Sequence, residues 1–380
     1  MNRRRLVMGL LGICLSFICL EMVTAHQIVE EVDPDGTAAI QTVVKQKEKA
    51  VNEKNLSSFM DVLHPDSRSY KQEQKRWFMD AIQYIDPHSY RLEVESIHAE
   101  KEGRWQVWVK QSYRKKGKSY HVKFPLCFEK TASGWKDRDL PFYQMSKGKV
   151  VVYYTSPNLE DQAHMALDIC ERASYALTNR FQWKPQQLIE VKLYHHPEVF
   201  RQSVKLSLPT WAGGWHEAGE SIKLIGGQST AKGLASGLVH ELTHQMVSEL
   251  TRDNASYWLQ EGAAMYYEAH LLPGLYDEVG ESRVKLFTVK QLESLDLEAL
   301  DGKEAHRYYQ TCYQLYSYLM EIYGEQKLKQ VYQDLHGELT IDVDHKEKLQ
   351  ELNRRTRESF QKVLGKSMDQ INDEWNKDRR

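Results

Sequence analysis

The hydrophobic period of this chain changes along its length, and each change demands a different kind of packing. From Ala38 to Leu63 the apolar residues Ile40, Val43, Val44, Val51, Leu56, Phe59, Met60 and Leu63 fall at helical spacing, with a break at Asn52 to Asn55. A second helical run covers about Tyr70 to Ile85 and ends before Asp86-Pro87. From Tyr90 the period becomes two. YRLEVESIHAE, RWQVWVKQSYR, SYHVKFPLCFEK and a short GWKDRDL, separated by EG, KKGK and ASG turns, predict an antiparallel meander. Near Lys147 the pattern resets. GKVVVYYTS reads as a buried strand, Leu159 to Phe181 as a long amphipathic helix, LIEVKLYHH as a strand, Glu198 to Val204 as a short helix and SIKLIGG as a strand. The remainder, from Lys232 to Arg380, reads as almost entirely helical. The expected class is α+β. A unit of helices plus antiparallel sheet spans 38–146, and a second unit, a small sheet followed by a mainly helical C-terminal lobe, spans 148–380. Single cores usually stop growing at roughly 250 to 300 residues, so two units suit a chain of 380.

The segment before these units has another character. Arg3, Arg4 and Arg5 precede an apolar run from Leu6 to Leu20, then Val23, Thr24 and Ala25, the pattern of a signal peptide over 1–25. Fifteen residues span only about 22 Å as a helix, against roughly 30 Å of bilayer hydrocarbon. Cleavage after Ala25 is therefore expected, with the mature chain secreted or held at the extracytoplasmic cell surface. Left uncleaved, the same segment would associate the chain with a membrane. Residues 26–37 read as a polar lead-in. Cys127, Cys170 and Cys312 are too few and too scattered for a disulfide framework and read as small buried residues. A formal net charge of −2 argues against a nucleic-acid partner. Nothing in the sequence sets an oligomeric state.

The chemistry is concentrated in LVHELTHQMV, residues 238–247. A helix from about Ala231 to Leu250 aligns Leu234, Leu238, Leu242, Met246 and Leu250 as a core stripe, which turns His240 and His244 toward nearly the opposite side. Histidines four positions apart lie within about 6 Å, so their imidazoles can share one Zn²⁺ at roughly 2.0 to 2.1 Å. A catalytic zinc needs a third protein ligand and an open position. Glu261, seventeen positions after His244 in NASYWLQEGAAMYYEAH, is the candidate. The small residues Gly262, Ala263 and Ala264 after it would let its helix pack close to the first.

HELTHQ followed by WLQEGAAMYYE resembles the gluzincin clan of zinc metallopeptidases, and more narrowly the exported peptidase-MA-like group, over roughly Lys149 to Arg380. The resemblance implies one catalytic Zn²⁺ held by His240, His244 and Glu261, with Glu241 as general base rather than ligand and a peptide or protein as substrate. It also implies that the strand Ser221 to Gly226 is the sheet edge that binds substrate backbone. His306, Tyr308, Tyr309 and Tyr313 are candidates for stabilising the oxyanion, with Tyr309 favoured. The aminopeptidase motif that grips a substrate's amino terminus is missing, which favours an endopeptidase, although Glu217 or Glu220 could substitute. Where thermolysin-like enzymes carry an acidic residue that orients the first histidine, this chain has Met265. A carboxylate elsewhere or a backbone carbonyl would then orient His240. The element order of 38–146 resembles the NTF2-like, or cystatin-like, fold, for which a structural or targeting role is expected. The competing reading is a non-catalytic, metal-stabilised binding or scaffolding protein of the cell envelope.

Overall fold

The computed structural model describes residues 34–100, 103–227, 230–274, 285–341 and 345–378. The leader pattern of 1–25 lies outside them. No helix among the described residues is long and apolar enough to cross a membrane.

The first unit is built as its periods require. Helix α1 (Pro34–Asn52) starts inside the stretch read as a lead-in, and the break at Asn52 to Asn55 is real: Asn55 caps α2 (Leu56–Asp61) by accepting the Ser58 amide. Helix α3 (Arg68–Tyr84) follows. Strands β1 (Arg91–Ala99), β2 (Arg104–Lys115), β3 (Lys118–Thr131) and β4 (Gly134–Asp137) form an antiparallel sheet in sequence order. Lys115 pairs with Lys118, so the basic KKGK segment is a two-residue hairpin tip, with Lys116 and Gly117 both at positive φ. A turn of that kind matches strand twist and favours glycine.

The second sheet starts at Tyr143, before the reset expected near Lys147 and inside the span 38–146 assigned to the first unit. β5 (Tyr143–Lys147) runs antiparallel to β6 (Val150–Tyr154), and parallel strands β7 (Ile189–Tyr194) and β9 (Ile222–Ile225) follow. The sheet order is β5-β6-β7-β9-β8, where β8 is only Gly214–Trp215. Helix α4 (Glu160–Phe181) covers one face together with α6 (Ala231–Thr251). The lobe is completed by α7 (Tyr257–His270), α8 (Val289–Ser294), α9 (Gly302–His336), α10 (His345–Leu364) and α11 (Met368–Asp378), with α9 broken at Gly324 (φ 75°). These helices, α4 and the sheet share one large apolar core.

The two sheets are joined by more than a linker. Helix α5 (Pro197–Val204) and the loop after it insert Phe200, Val204, Leu208 and Ala212 into the apolar core of the first unit. There Gln202 and Gln111 exchange amide hydrogen bonds, the bond from Gln202 Nε2 to Gln111 Oε1 being 2.7 Å, while the Tyr90 hydroxyl also donates to Gln111. The two buried amide groups thus satisfy each other, as burial demands. Buried charges cross the same junction. Lys192 of β7 lies 2.6 Å from Glu73 of α3 and 2.5 Å from Asp139. Removing one partner from such a group typically costs about 3–5 kcal/mol, because it strands the other charge.

Candidate metal and catalytic site

Helix α6 is capped by Thr230, whose hydroxyl accepts the Gly233 amide, and ends in a tight reversal with Arg252 and Asp253 both at positive φ. Asn254 secures the reversal by donating to the carbonyls of Leu335 and Glu338. Helix α7 therefore returns against α6. Leu234, Leu238, Leu242 and Met246 are buried, while Leu250 at the end of the stripe is only half-buried. Gly262 sets the distance to α9: a Cβ there would stand 2.8 Å from the Cys312 carbonyl oxygen and 2.9 Å from the Tyr316 Cβ. Gly262 thus lets α9 come close, while α7, with Ala263 and Ala264 fully buried, also packs closely on α6, as the sequence implied.

The result is a convergence of three side chains. His240 Nε2 and His244 Nε2 face each other at 3.1 Å, and Glu261 Oε2 lies 3.4 Å from the first and 3.3 Å from the second. Two ligands about 2.0 to 2.1 Å from one tetrahedral ion stand roughly 3.3 to 3.4 Å apart. The three atoms are thus spaced for a single zinc, and Glu261 Oε2 is buried with no hydrogen-bond partner of its own. Burial alone would raise the Glu261 carboxyl, but His244 and His240 outweigh it and hold it at about 2. The site offers a charged carboxylate and two imidazoles, a donor set that suits this metal.

The carboxylate that orients His240 was not legible at the position where the family resemblance looks for it. Met265 is there, but Glu268, seven residues past Glu261 and so on the same face of α7, accepts from His240 Nδ1 at 3.0 Å and from the Ser236 hydroxyl. With its proton on Nδ1, His240 presents the Nε2 lone pair inward, the arrangement that metal-binding histidines use. The signal available in the sequence was an acidic residue at i+7 within an otherwise apolar helix.

Glu241 points to the neighbouring strand. A Cβ at Gly214 would lie 2.5 Å from its Oε1, so the carboxylate rests directly on the β8 backbone. Burial raises its pKa against the opposing pull of His240 and His244, which makes it a stronger base than an exposed glutamate. Tyr309 stands beside this group, its ring 6.1 Å from those of His240 and Trp211. Burial, then the Glu261 and Glu241 charges, keep its phenol protonated far above the ordinary range. Of the other candidates, Tyr308 is buried, His306 is exposed and Tyr313 stacks with His270.

One expectation is corrected. Ser221 to Gly226 is not the sheet edge, because Gly214 and Trp215 pair antiparallel with Leu224 and Lys223 and cover β9. The open edge at the site is β8, two residues long and too short to leave an alternating pattern. Glu217 and Glu220 are also committed: Arg76 lies 2.8 Å from Glu217 and 2.7 Å from Glu220, and Lys223 donates to Glu220 at 2.9 Å. His216, in the same loop, is held well below the ordinary imidazole range by burial first, then by its neighbours His244, Lys223 and Arg76.

Comparison with known proteins agrees with the chemistry of this segment. The family model of the peptidase MA superfamily matches residues 172–349, which contain all three converging side chains and Glu241. The match supports a peptidase-like function. No curated protein matches the chain. Among solved structures, a variant of a protein designated Rd1NTF2_05 is 16% identical, covering 28% of this chain and 96% of its own, with a TM-score of 0.24. A proposed aromatic ring hydroxylase from Novosphingobium aromaticivorans is 14% identical, covering 27% of this chain and 84% of its own, with a TM-score of 0.23. Likenesses this slight assign neither fold nor function.

Proposed function

We propose that the chain is a zinc-dependent endopeptidase that works outside the cytoplasm. The observation that carries the proposal is the spacing of His240 Nε2, His244 Nε2 and Glu261 Oε2 at 3.1 to 3.4 Å, with Glu268 fixing the His240 tautomer. These three residues would hold the metal, which when bound supplies Lewis-acid polarisation of the scissile carbonyl and lowers the pKa of water.

The chain's own residues perform the remaining work. Glu241, held against β8 and made more basic by burial, accepts the proton of the attacking water and delivers it to the departing amine. The substrate backbone lies along the open edge of β8, where main-chain hydrogen bonds orient it irrespective of its side chains. Tyr309, protonated at any working pH, donates a hydrogen bond to the oxyanion as charge develops on it. Endopeptidase action is favoured because Glu217 and Glu220, the acidic groups that could have held a substrate's amino terminus, are already paired with Arg76 and Lys223. Location outside the cytoplasm rests on the Arg3–Ala25 leader pattern.

The test is metal content and cleavage of a broad peptide library by the purified protein beside Glu241→Gln. The variant should retain one zinc and lose turnover. Equal cleavage by both proteins would refute the mechanism, and tight zinc with no cleavage by the wild type would favour a metal-stabilised binding protein.

A further inference from the structure

Helix α3 belongs to the first unit, yet one of its faces grips the loop that builds the catalytic cleft. Glu73, Arg76 and Asp80 occupy positions i, i+3 and i+7, a single stripe along the helix. Asp80 accepts from the Ser207 amide at 3.1 Å and from its hydroxyl. Glu73 accepts from the amide and hydroxyl of Ser221 and lies 3.3 Å from Lys223. Arg76 spans the turn between them: Nη1 donates to Glu217 at 2.8 Å, Nη2 donates to the Ala218 carbonyl at 3.3 Å, and Nε forms an ion pair with Glu220 at 2.7 Å. Glu220 and Glu73 are almost wholly shielded from solvent, so their contacts act at low dielectric, whereas Arg76 and Glu217 are each about a third exposed.

The turn so held is the connection of the β8–β9 hairpin. Its first arm carries Gly214 against Glu241, its second carries Leu224 beneath Gly214 and Gly237, and His216 lies between arm and turn. With only two residues paired to β9, β8 has little intrinsic stability as a strand. Something must hold the turn for the edge to present its backbone in one register.

We propose that the N-terminal unit is a working part of the peptidase cleft, and that Arg76 is the positioning residue through which it holds the β8 edge in register for substrate backbone. The proposal rests on the peptidase reading above. It assigns the first unit a role in substrate alignment, and it predicts that severing the Arg76 clamp weakens peptide engagement while leaving the metal site intact.

The experiment compares zinc-loaded wild type, Arg76→Ala and Arg76→Lys in the full chain, with two probes that differ only in peptide content: acetohydroxamate, which engages the metal, and a peptidyl hydroxamate, which also lies along β8. Arg76→Ala should bind the peptidyl probe about tenfold more weakly, with acetohydroxamate affinity unchanged and Arg76→Lys in between. Hydrogen exchange, which needs no ligand, should show residues 213–225 opening faster in Arg76→Ala while α6 is unaffected. Unchanged peptidyl binding, equal weakening of both probes, or identical exchange would each overturn the proposal. A wild type that holds zinc but binds neither hydroxamate would overturn the peptidase reading instead, a result separable from failure of Arg76 alone. Should Arg76→Ala fail to fold, Glu217→Ala removes one of the acceptors of Arg76 and should weaken the peptidyl probe selectively but by less, since Glu220 and the Ala218 carbonyl still hold Arg76; no selective loss would overturn the proposal.

Discussion

Gly214→Ala separates catalysis from stability at a single atom. The added methyl would lie 2.5 Å from Glu241 Oε1, 3.3 Å from its Cδ and 2.9 Å from Leu224 Cδ2. Ordinary contact begins at about 3.4 Å, so the carboxylate oxygen must retreat by about 0.9 Å and the leucine methyl by about 0.5 Å. Both displaced atoms are the ends of side chains, so the stability loss should be about 1 kcal/mol, at the lower end for an overpacked core. Catalysis is less forgiving. Misplacing a reacting group by about 1 Å can cost roughly 10²-fold in rate, equivalent to about 2.7 kcal/mol of barrier. The expected signature is a kcat some hundredfold lower, full zinc content and a small fall in Tm. Turnover on a quenched fluorescent peptide reads the first, elemental analysis the second and calorimetry the third. In a Glu241→Gln background the alanine should cost nothing further, because the group it displaces has already lost its proton-accepting role. Wild-type turnover in Gly214→Ala, or full additivity with Glu241→Gln, would refute the placement of Glu241 on the β8 backbone.

Glu268→Ala removes the acceptor of His240 Nδ1 and should weaken zinc binding by roughly 10- to 100-fold in a chelator competition, with folding largely retained. Gly262→Ala drives a methyl into the Cys312 carbonyl and the Tyr316 Cβ, where backbone cannot yield as a side chain tip can; denaturation should show a loss of about 1 to 3 kcal/mol. Burial would raise the Glu73 carboxyl, but Lys192 and Lys223 outweigh it and hold it at about 2 in the folded chain, against an ordinary 4.5. Its contribution, of order 3 kcal/mol, is therefore complete above pH 4.5 and is lost as pH falls toward 2. The stability gap between wild type and Glu73→Gln, followed by urea denaturation across pH, should be constant near neutrality and narrow below 4.5; a gap indifferent to pH would mean that Glu73 is not held as an anion.

Particular residues show how far local sequence reached. The i, i+4 histidines, the leucine stripe behind them and the helical spacing around Glu261 are properties of one or two helical turns, so the period alone placed them. The change to period two likewise placed the meander of β1 to β4, and the Asn52–Asn55 break marked a true cap. Glu268 could have been found by counting two turns from Glu261, but only by asking which carboxylate shares a face with the ligand rather than which occupies a familiar position. The edge strand was misplaced because β8 has two residues, and two residues carry no period. At Gly214 only the neighbouring carboxylate shows why a methyl has no room.

By itself the sequence determined which segments could be helices and strands, and which side chains could bind a divalent metal on one helix face. Tertiary structure alone decided that α3, some 140 residues earlier in the chain, meets the turn at Glu217–Ser221. It also decided that α5 inserts into the first unit's core and that β8 covers β9. The physical reason is separation. A helical or strand period is set by sterics and burial within a few residues, whereas an ion pair between distant segments exists only after two cores have packed and excluded the water that would otherwise solvate each charge.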